Sequence, residues 1–543
     1  MKIRRIVSLL LAVLMLLGGV SAVAEDNNGR PYNDGLVKYD TRADKYLNGA
    51  NLTKLPLVDE PTTIKVWQGF SSTIMQGADE CLVFQELEKR TGVTVEFLYP
   101  PVGSETDNYN MRIASGDLPH IFTTPPGYPG GDIAAVEDEV YVDLTPYYEK
   151  GLMPNLKYLV DNNPDIAKDL FNDEGQLLFF PQIDIVPTAP WSGLWIRQDW
   201  LDELNMEIPT TIEEWDAVLY AMKELKGTAP LGINFPLWYG VETNYMFAAS
   251  YECSFRTFMN KDGKVVYGSI EPGYRDFLTL MAKWYADGII DPDFVTRTFE
   301  DFNGRVADGT FGACGLSYAE YGQQQVTGLT IDPDWNLVPV AMPTSYEGQV
   351  IHIHQNDPRV RAGYKEYMTV AAVDDGVDEL VVQWMDYRYS QDGGDLCSYG
   401  VEGVSYEWKE DGEINWIHPA LTENPDADFW TLYPLWKFHN AAYMRDSSSY
   451  TFEPAVLQSI EVWASQDDSW LMPQGMSTNA AEAAELADIM TDVNTYVEEM
   501  TYAFITGQAS LNQYDAYVEQ VKALGIERAT EIYQTALERY LAR

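Results

Sequence analysis

The sequence predicts a two-lobed α/β protein behind a removable N-terminal leader, with a helical C-terminus. Three observations predict it. The chain has 543 residues, 46% of them hydrophobic and 13% aromatic. It is therefore folded rather than disordered, and longer than the ~250–300 residues at which single cores stop growing. Two separate regions alternate period-2 strands with period-3.6 helices, the pattern of a mostly parallel sheet covered on both faces. The C-terminal stretch carries helix caps and helical spacing only.

Each element follows from its residues. Lys2, Arg4 and Arg5 precede an apolar run over 6–17 interrupted only by Ser8, and Ala22-Val23-Ala24 supplies a small-x-small cleavage site. The run is shorter than the ~20 residues a spanning helix needs, so residues 1–24 are predicted to be a removed signal peptide. Residues 25–60 are polar, broken by Gly29, Pro31, Gly35, Gly49 and Pro56, and read as a linker. Ile64 and Val66 then alternate with Lys65 and Trp67 as a first strand. Residues 79–90 form a helix burying Val83, Phe84 and Leu87, closed by Lys89, Arg90 and Gly92. Val93, Val95 and Phe97 make the next strand. A helix ending at Ser115-Gly116 leads to a strand through His120-Ile121-Phe122.

The second region opens near Trp195. Thr211 and Glu214 form a capping box for a helix burying Trp215, Val218, Leu219 and Met222. A further helix carries Phe277, Leu280, Met281 and Trp284 and stops at Gly288. Near the C-terminus Ser510 and Gln513 make another capping box, and Gly525 divides two helices.

Charge excludes several partners. Lysine and arginine number 36 against 83 aspartates and glutamates, a net charge of −47. Such a surface repels nucleic acid and, at long range, anionic lipids and polyanions. Cys81, Cys253, Cys314 and Cys397 are widely spaced, so two disulfides and four buried thiols are both compatible with the spacing. His352 and His354 share a strand face in sequence, but no third metal ligand accompanies them, and exposed edge histidines are expected. No metal and no cofactor are expected. The chain has no G-x-S-x-G, H-E-x-x-H, P-loop or G-x-G-x-x-G motif. A secreted glycoside hydrolase using paired carboxylates is the alternative class, because that chemistry needs only two acids at a set separation.

Several stretches resemble extracellular solute-binding protein family 1, the receptors of ABC importers, and its large Firmicutes-type branch in particular. They are residues 55–67 (LPLVDEPTTIKVW), 114–121 (ASGDLPHI, with His120 where the branch usually has aspartate), 195–201 (WIRQDWL) and 209–215 (PTTIEEW). Residues 284–294 (WYADGIIDPDF), 399–406 (YGVEGVSY), 504–507 (FITG), 531–534 (EIYQ) and Arg539-Tyr540 follow in the same order. The resemblance implies a type II periplasmic-binding-protein-like clamp with discontinuous domains. Lobe one would take residues 61–187 and 338–397, and lobe two 188–337 and 398–543. It implies a non-enzymatic, monomeric receptor that hands an oligosaccharide to ABC transporter permease subunits. The branch's lipobox cysteine is missing, since Cys81 comes first, so the protein is expected to be periplasmic or secreted. The 226–232 stretch (KGTAPLG) lacks the carboxylates of the calcium loop some relatives carry there.

Sugars offer C–H faces to aromatic rings and hydroxyl rims to polar groups. Trp215 and Trp284 lie at helical spacing and are assigned to the core. Aromatics beside breakers at element ends are the better candidates, because those loops line clefts. Trp238 and Tyr239 (in NFPLWYG), Tyr318 (in GLSY) and Trp436 (in YPLW) resemble the family's aromatic ligand positions. Trp67, Thr123 and Thr124 would line the opposite wall, with Trp191 and Glu402 as additional contacts. Ordinary packing competes at each, since pockets and cores share residue types.

Overall fold

A computed structural model describes residues 24–25, 31–32, 52–69, 75–183, 190, 192–233, 247–354, 360–409, 414–417, 454–464 and 467–543. The predicted leader lies outside them but for Ala24, as do Trp191, Trp238, Tyr239 and Trp436.

Strand β1 (Thr62–Trp67) pairs in parallel with β2 (Val93–Leu98) along its whole length and with β3 (Ile121–Thr123) at Val66 and Trp67. Between β1 and β2, α1 (Leu82–Thr91) buries Val83 and Leu87 and ends on Gly92 at φ 75°, where a Cβ would be strained. The predicted start at Asp79 falls instead in a separate 3-10 turn, Ala78–Glu80, because Cys81 adopts an extended conformation. Helix α2 (Glu105–Ser115) ends at Gly116 as predicted. Helices α3 (Gly131–Glu137), α4 (Pro154–Asn162) and α5 (Pro164–Leu170) lead to β4 (Phe180–Ile183), which is buried throughout.

The chain then starts a second sheet with β5 (Ser192–Arg197). Helix α6 (Ile212–Lys226) carries the predicted capping box, with Glu214 N donating to Thr211 Oγ1 and Thr211 N to the Glu214 carboxylate, both at 3.2 Å. Trp215 in α6 and Trp284 in α7 (Pro272–Ala286) are fully buried. Strand β6 (Leu231–Gly232), the hairpin β7 (Phe258–Lys261) and β8 (Lys264–Tyr267), β9 (Ala313–Ser317), α8 (Tyr318–Ile331) and β10 (Leu337–Val340) complete this part. The chain rejoins the first sheet through β11 (Val360–Met368), followed by α9 (Asp378–Tyr387) and α10 (Gln391–Tyr399). Strands β12 (Tyr406–Trp408) and β13 (Ile414–Trp416) pair with each other, and α11 (Pro454–Ala464), α12 (Ala480–Ile505), α13 (Tyr514–Ala523) and α14 (Ile526–Ala542) end the fold.

The strand orders are β2-β1-β3-β11-β4 and β10-β5-β9-β6. One core draws on residues between Ile64 and Ile183 and between Val360 and Cys397; the other runs from Leu194 to Val340 and from Leu486 to Ile532. Neither sheet is as parallel as the βαβ pattern predicts. Strand β11 opposes both β3 and β4, and β5 opposes both β9 and β10. Each is the strand by which the chain enters from the other core, so it runs against its neighbours.

Other expectations are corrected as well. The return to lobe one, placed at 338, comes later: β10 pairs with β5, Thr344 bridges Thr211, and Met342, Ile351 and Ile353 pack on Ala249 and Met259. The linker is not loose throughout, since Leu55, Leu57 and Val58 pack on the first core. Ser510 caps a 3-10 turn through Asn512 N at 3.3 Å, and α13 starts only at Tyr514. His354 is buried rather than exposed, and His352 stacks on Trp470 at 4.7 Å; neither is in a strand. All four cysteines are free, and burial pushes the Cys81 and Cys397 thiols up to about 12. No helix among the described residues is long and apolar enough to cross a membrane.

Candidate ligand-binding cleft

The chain crosses between the sheets from one edge of each. Strand β4 leaves the first sheet at Ile183, and β5 begins the second at Ser192. On the return, β10 ends at Val340 and β11 begins at Val360, opposite Ile183. The carboxyl ends of β1, β3 and β4 share this edge of the first sheet. In the second sheet Ser317, at the end of β9, lies opposite Ser192. In open α/β sheets, ligands bind in the crevice outside the carboxyl ends of the strands.

The first edge is polar. Thr124, just past β3, is exposed and holds φ 44°, a left-handed conformation costly for a β-branched residue. Its N–H donates to the Lys365 carbonyl at 2.8 Å. Thr123 points inward and donates from Oγ1 to Glu366 at 3.2 Å, and Arg388 donates to the same carboxylate at 2.9 Å. Burial pushes the Glu366 carboxyl up, against the pull of the Arg388 charge. The edge therefore rests on an internal ion pair.

Trp67 does not offer a face here. It is 2% exposed, its indole N–H donates to Asn108 Oδ1 at 2.9 Å, and Phe122 meets it edge-on at 5.5 Å. Its neighbour Gln68 is also buried, with an amide Nε2 that has no hydrogen-bond partner among the described residues. In the 124–130 loop Tyr128 is half-buried and donates its hydroxyl to Asp138 at 2.7 Å. Glu366, Arg388, Gln68 and Tyr128 are not among the sequence candidates. Of these only Tyr128, an aromatic flanked by Gly127 and Pro129, carries a local signal.

On the second edge Tyr318 is half-buried at the first position of α8, directly after β9. Ser317 caps that helix by accepting from Glu320 N at 3.3 Å, with the Glu320 carboxylate reaching back. Behind Tyr318, Trp195 stacks on Tyr321 at 4.6 Å and meets Trp463 of α11 edge-on at 5.5 Å. Glu402 belongs to another element: it is exposed in the turn before β12, bridged to Tyr406. Rings of Tyr399, Tyr406, Trp408 and Trp416 cluster around that turn.

The structure thus gathers Trp67, Thr123 and Thr124 at one edge and places Tyr318 at the other. No group of three or more metal-ligating side chains occurs among the described residues.

Comparison with known proteins gives a consistent answer. The family described as bacterial extracellular solute-binding protein matches residues 70–393. The fructooligosaccharide ABC transporter substrate-binding protein FusA of Streptococcus pneumoniae is 25% identical, over 89% of this chain and 92% of that protein. An HMO-binding, ABC-transporter-associated solute-binding protein of Bifidobacterium longum infantis superposes with TM-score 0.73 at 16% identity, over 89% of this chain and 99% of that one. The alginate-binding protein AlgQ2 superposes with TM-score 0.70 at 21% identity, with the same coverages.

Proposed function

We propose that this chain, which belongs to the bacterial extracellular solute-binding protein family, captures a neutral oligosaccharide between its two sheets and delivers it to an ABC importer. The observation that supports this is that the strand ends at the crossing carry the strained, exposed Thr124 in the first sheet and the half-buried Tyr318 in the second. A ring on one wall and hydroxyl, amide and backbone groups on the other suit a sugar's apolar face and polar rim. Tyr318, Thr124 and Tyr128 are assigned to ligand contact, with Trp238, Tyr239, Trp436, Trp191 and Glu402 as further contacts. Thr123 supports the wall through Glu366, and Trp67 is left to packing. A net charge of −47 favours a neutral glycan over a polyuronate.

The protein releases its ligand unchanged and acts as a secreted monomer after loss of residues 1–24. Thermal unfolding against neutral oligosaccharides of graded length, with alginate and polygalacturonate alongside, tests this. Stabilisation of about 2.7 kcal/mol is expected at a hundred times the dissociation constant, with the glycan recovered intact. A response only to the polyuronates would overturn the neutral class. Shortened products would favour the hydrolase.

A further inference from the structure

The two cores also meet at the end of α14. The body of that helix belongs to the second core, where Ile526, Ala529 and Ile532 are buried and Val265 N of β8 donates to Gln534 at 2.8 Å. Its last turn reaches α5 and the turn after it, whose Ile166, Leu170 and Leu177 lie in the first core. There the Arg543 guanidinium donates to Asp173 at 2.5 and 2.9 Å, and to the carbonyls of Lys168 at 3.0 Å and Phe171 at 2.7 Å. The same side chain donates to the Gly475 carbonyl at 2.9 Å and Ser477 Oγ at 2.7 Å, in the turn that leads into α12. Arg539 donates to Asp173 at 2.6 Å while also holding Glu482, and the Tyr540 hydroxyl donates to Asp169 at 2.6 Å.

Backbone approach reinforces the charges. A Cβ on Gly475 would run into the Cα and side chain of Asp169, so only glycine lets the two segments touch. Beside this contact lies a cavity of about 270 Å³, lined by Asp132, Phe171 and Lys365 from the chain of the first lobe and by Met476, Ser477 and Thr478 from the turn leading into α12. Its shape must change with the angle between the two cores.

We propose that Arg539, Tyr540 and Arg543, closed on Asp169 and Asp173 over Gly475, form a latch that fixes the angle between the two lobes. Arg543 spans residues of both lobes with one rigid guanidinium, whose Nε and Nη2 both donate to Asp173 Oδ1 while Arg539 takes Oδ2. Opening the latch leaves each lobe's own core intact and frees their relative orientation.

The test is a distance measurement between the lobes of the full chain without ligand. Spin labels go on K89C and E224C, exposed helical positions in the first and second lobe, and the buried native thiols do not compete. Asp173→Asn removes the shared carboxylate charge, and Gly475→Ala wedges the contact without touching any charge. Both are expected to broaden or shift the pulsed-EPR distance distribution while circular dichroism stays native. Arg528→Gln, which breaks the Arg528–Glu485 pair between α14 and α12 inside one lobe, is expected to leave the distribution unchanged. The steric variant carries the test if the charge variant does not fold. A folded variant whose distribution superimposes on the wild type overturns the latch, as does an equal broadening in Arg528→Gln.

Discussion

Gly193→Ala tests the packing behind Tyr318. A Cβ at Gly193 would lie 2.5 Å from two atoms of the Trp463 indole, about 1 Å inside ordinary contact at ~3.5 Å. Neither side yields easily. Strand β5 is hydrogen-bonded to β9 on one side and β10 on the other, and Trp463 is fully buried. Overpacking absorbed by small shifts costs about 1–3 kcal/mol. If α11 lifts instead, exposing a tryptophan of ~200 Å² at ~25 cal/mol per Å² costs about 5 kcal/mol. A loss of roughly 1–5 kcal/mol is therefore expected, read from urea unfolding followed by tryptophan fluorescence. Trp463→Leu vacates the space, so the double variant should be more stable than the sum of the singles implies by at least ~1 kcal/mol. A Gly193→Ala effect within ~0.5 kcal/mol of wild type, or strict additivity with Trp463→Leu, would refute the close-approach argument.

Three further outcomes are expected. Tyr318→Ala should weaken any oligosaccharide found by thermal shift about ten-fold, near 1.4 kcal/mol, with the unfolding midpoint of the free protein little changed; titration calorimetry decides, and an unaltered affinity removes Tyr318 from the site. Asp386 accepts from the Asn155 and Leu156 backbone N–H groups at 3.1 and 2.9 Å, and from Asn155 Nδ2 and Thr53 Oγ1 at 2.9 and 3.2 Å, while burial pushes its carboxyl from the usual range up to about 7. A carboxyl that keeps its proton to higher pH folded than unfolded favours the fold most below pH ~4, and that advantage is lost as pH rises toward 7; Asp386→Asn should flatten this slope in urea titrations, and an unchanged slope counts against it. Thr211→Ala should cost about 1 kcal/mol by removing the capping box of α6, and a loss below ~0.3 kcal/mol in urea unfolding would show that the cap adds nothing there.

Much of the fold was legible because its signals are local. Gly92 and Gly116 end helices where their spacing predicted, and Thr211 with Glu214 starts one, since a cap is written within about four residues. The candidate site was legible in part. Thr124 and Tyr318 stand at strand ends beside breakers, and that pattern marks an edge without showing which way a side chain faces. Trp67 follows the same rule and is sealed in, because α2 supplies Asn108 and Tyr109 beside it.

By itself the sequence determined the helix periods and caps, the acidic surface and the division into two α/β halves, all carried by neighbouring residues or by composition. Tertiary structure alone decided the strand order, the late return at Val360 rather than 338, the Glu366–Arg388 support beneath Thr123 and the clasp of Arg543 on Asp173. Those partners are separated by up to 370 positions along the chain. No local period fixes such a pairing, because it depends on how whole sheets and helices pack once the chain has crossed between them.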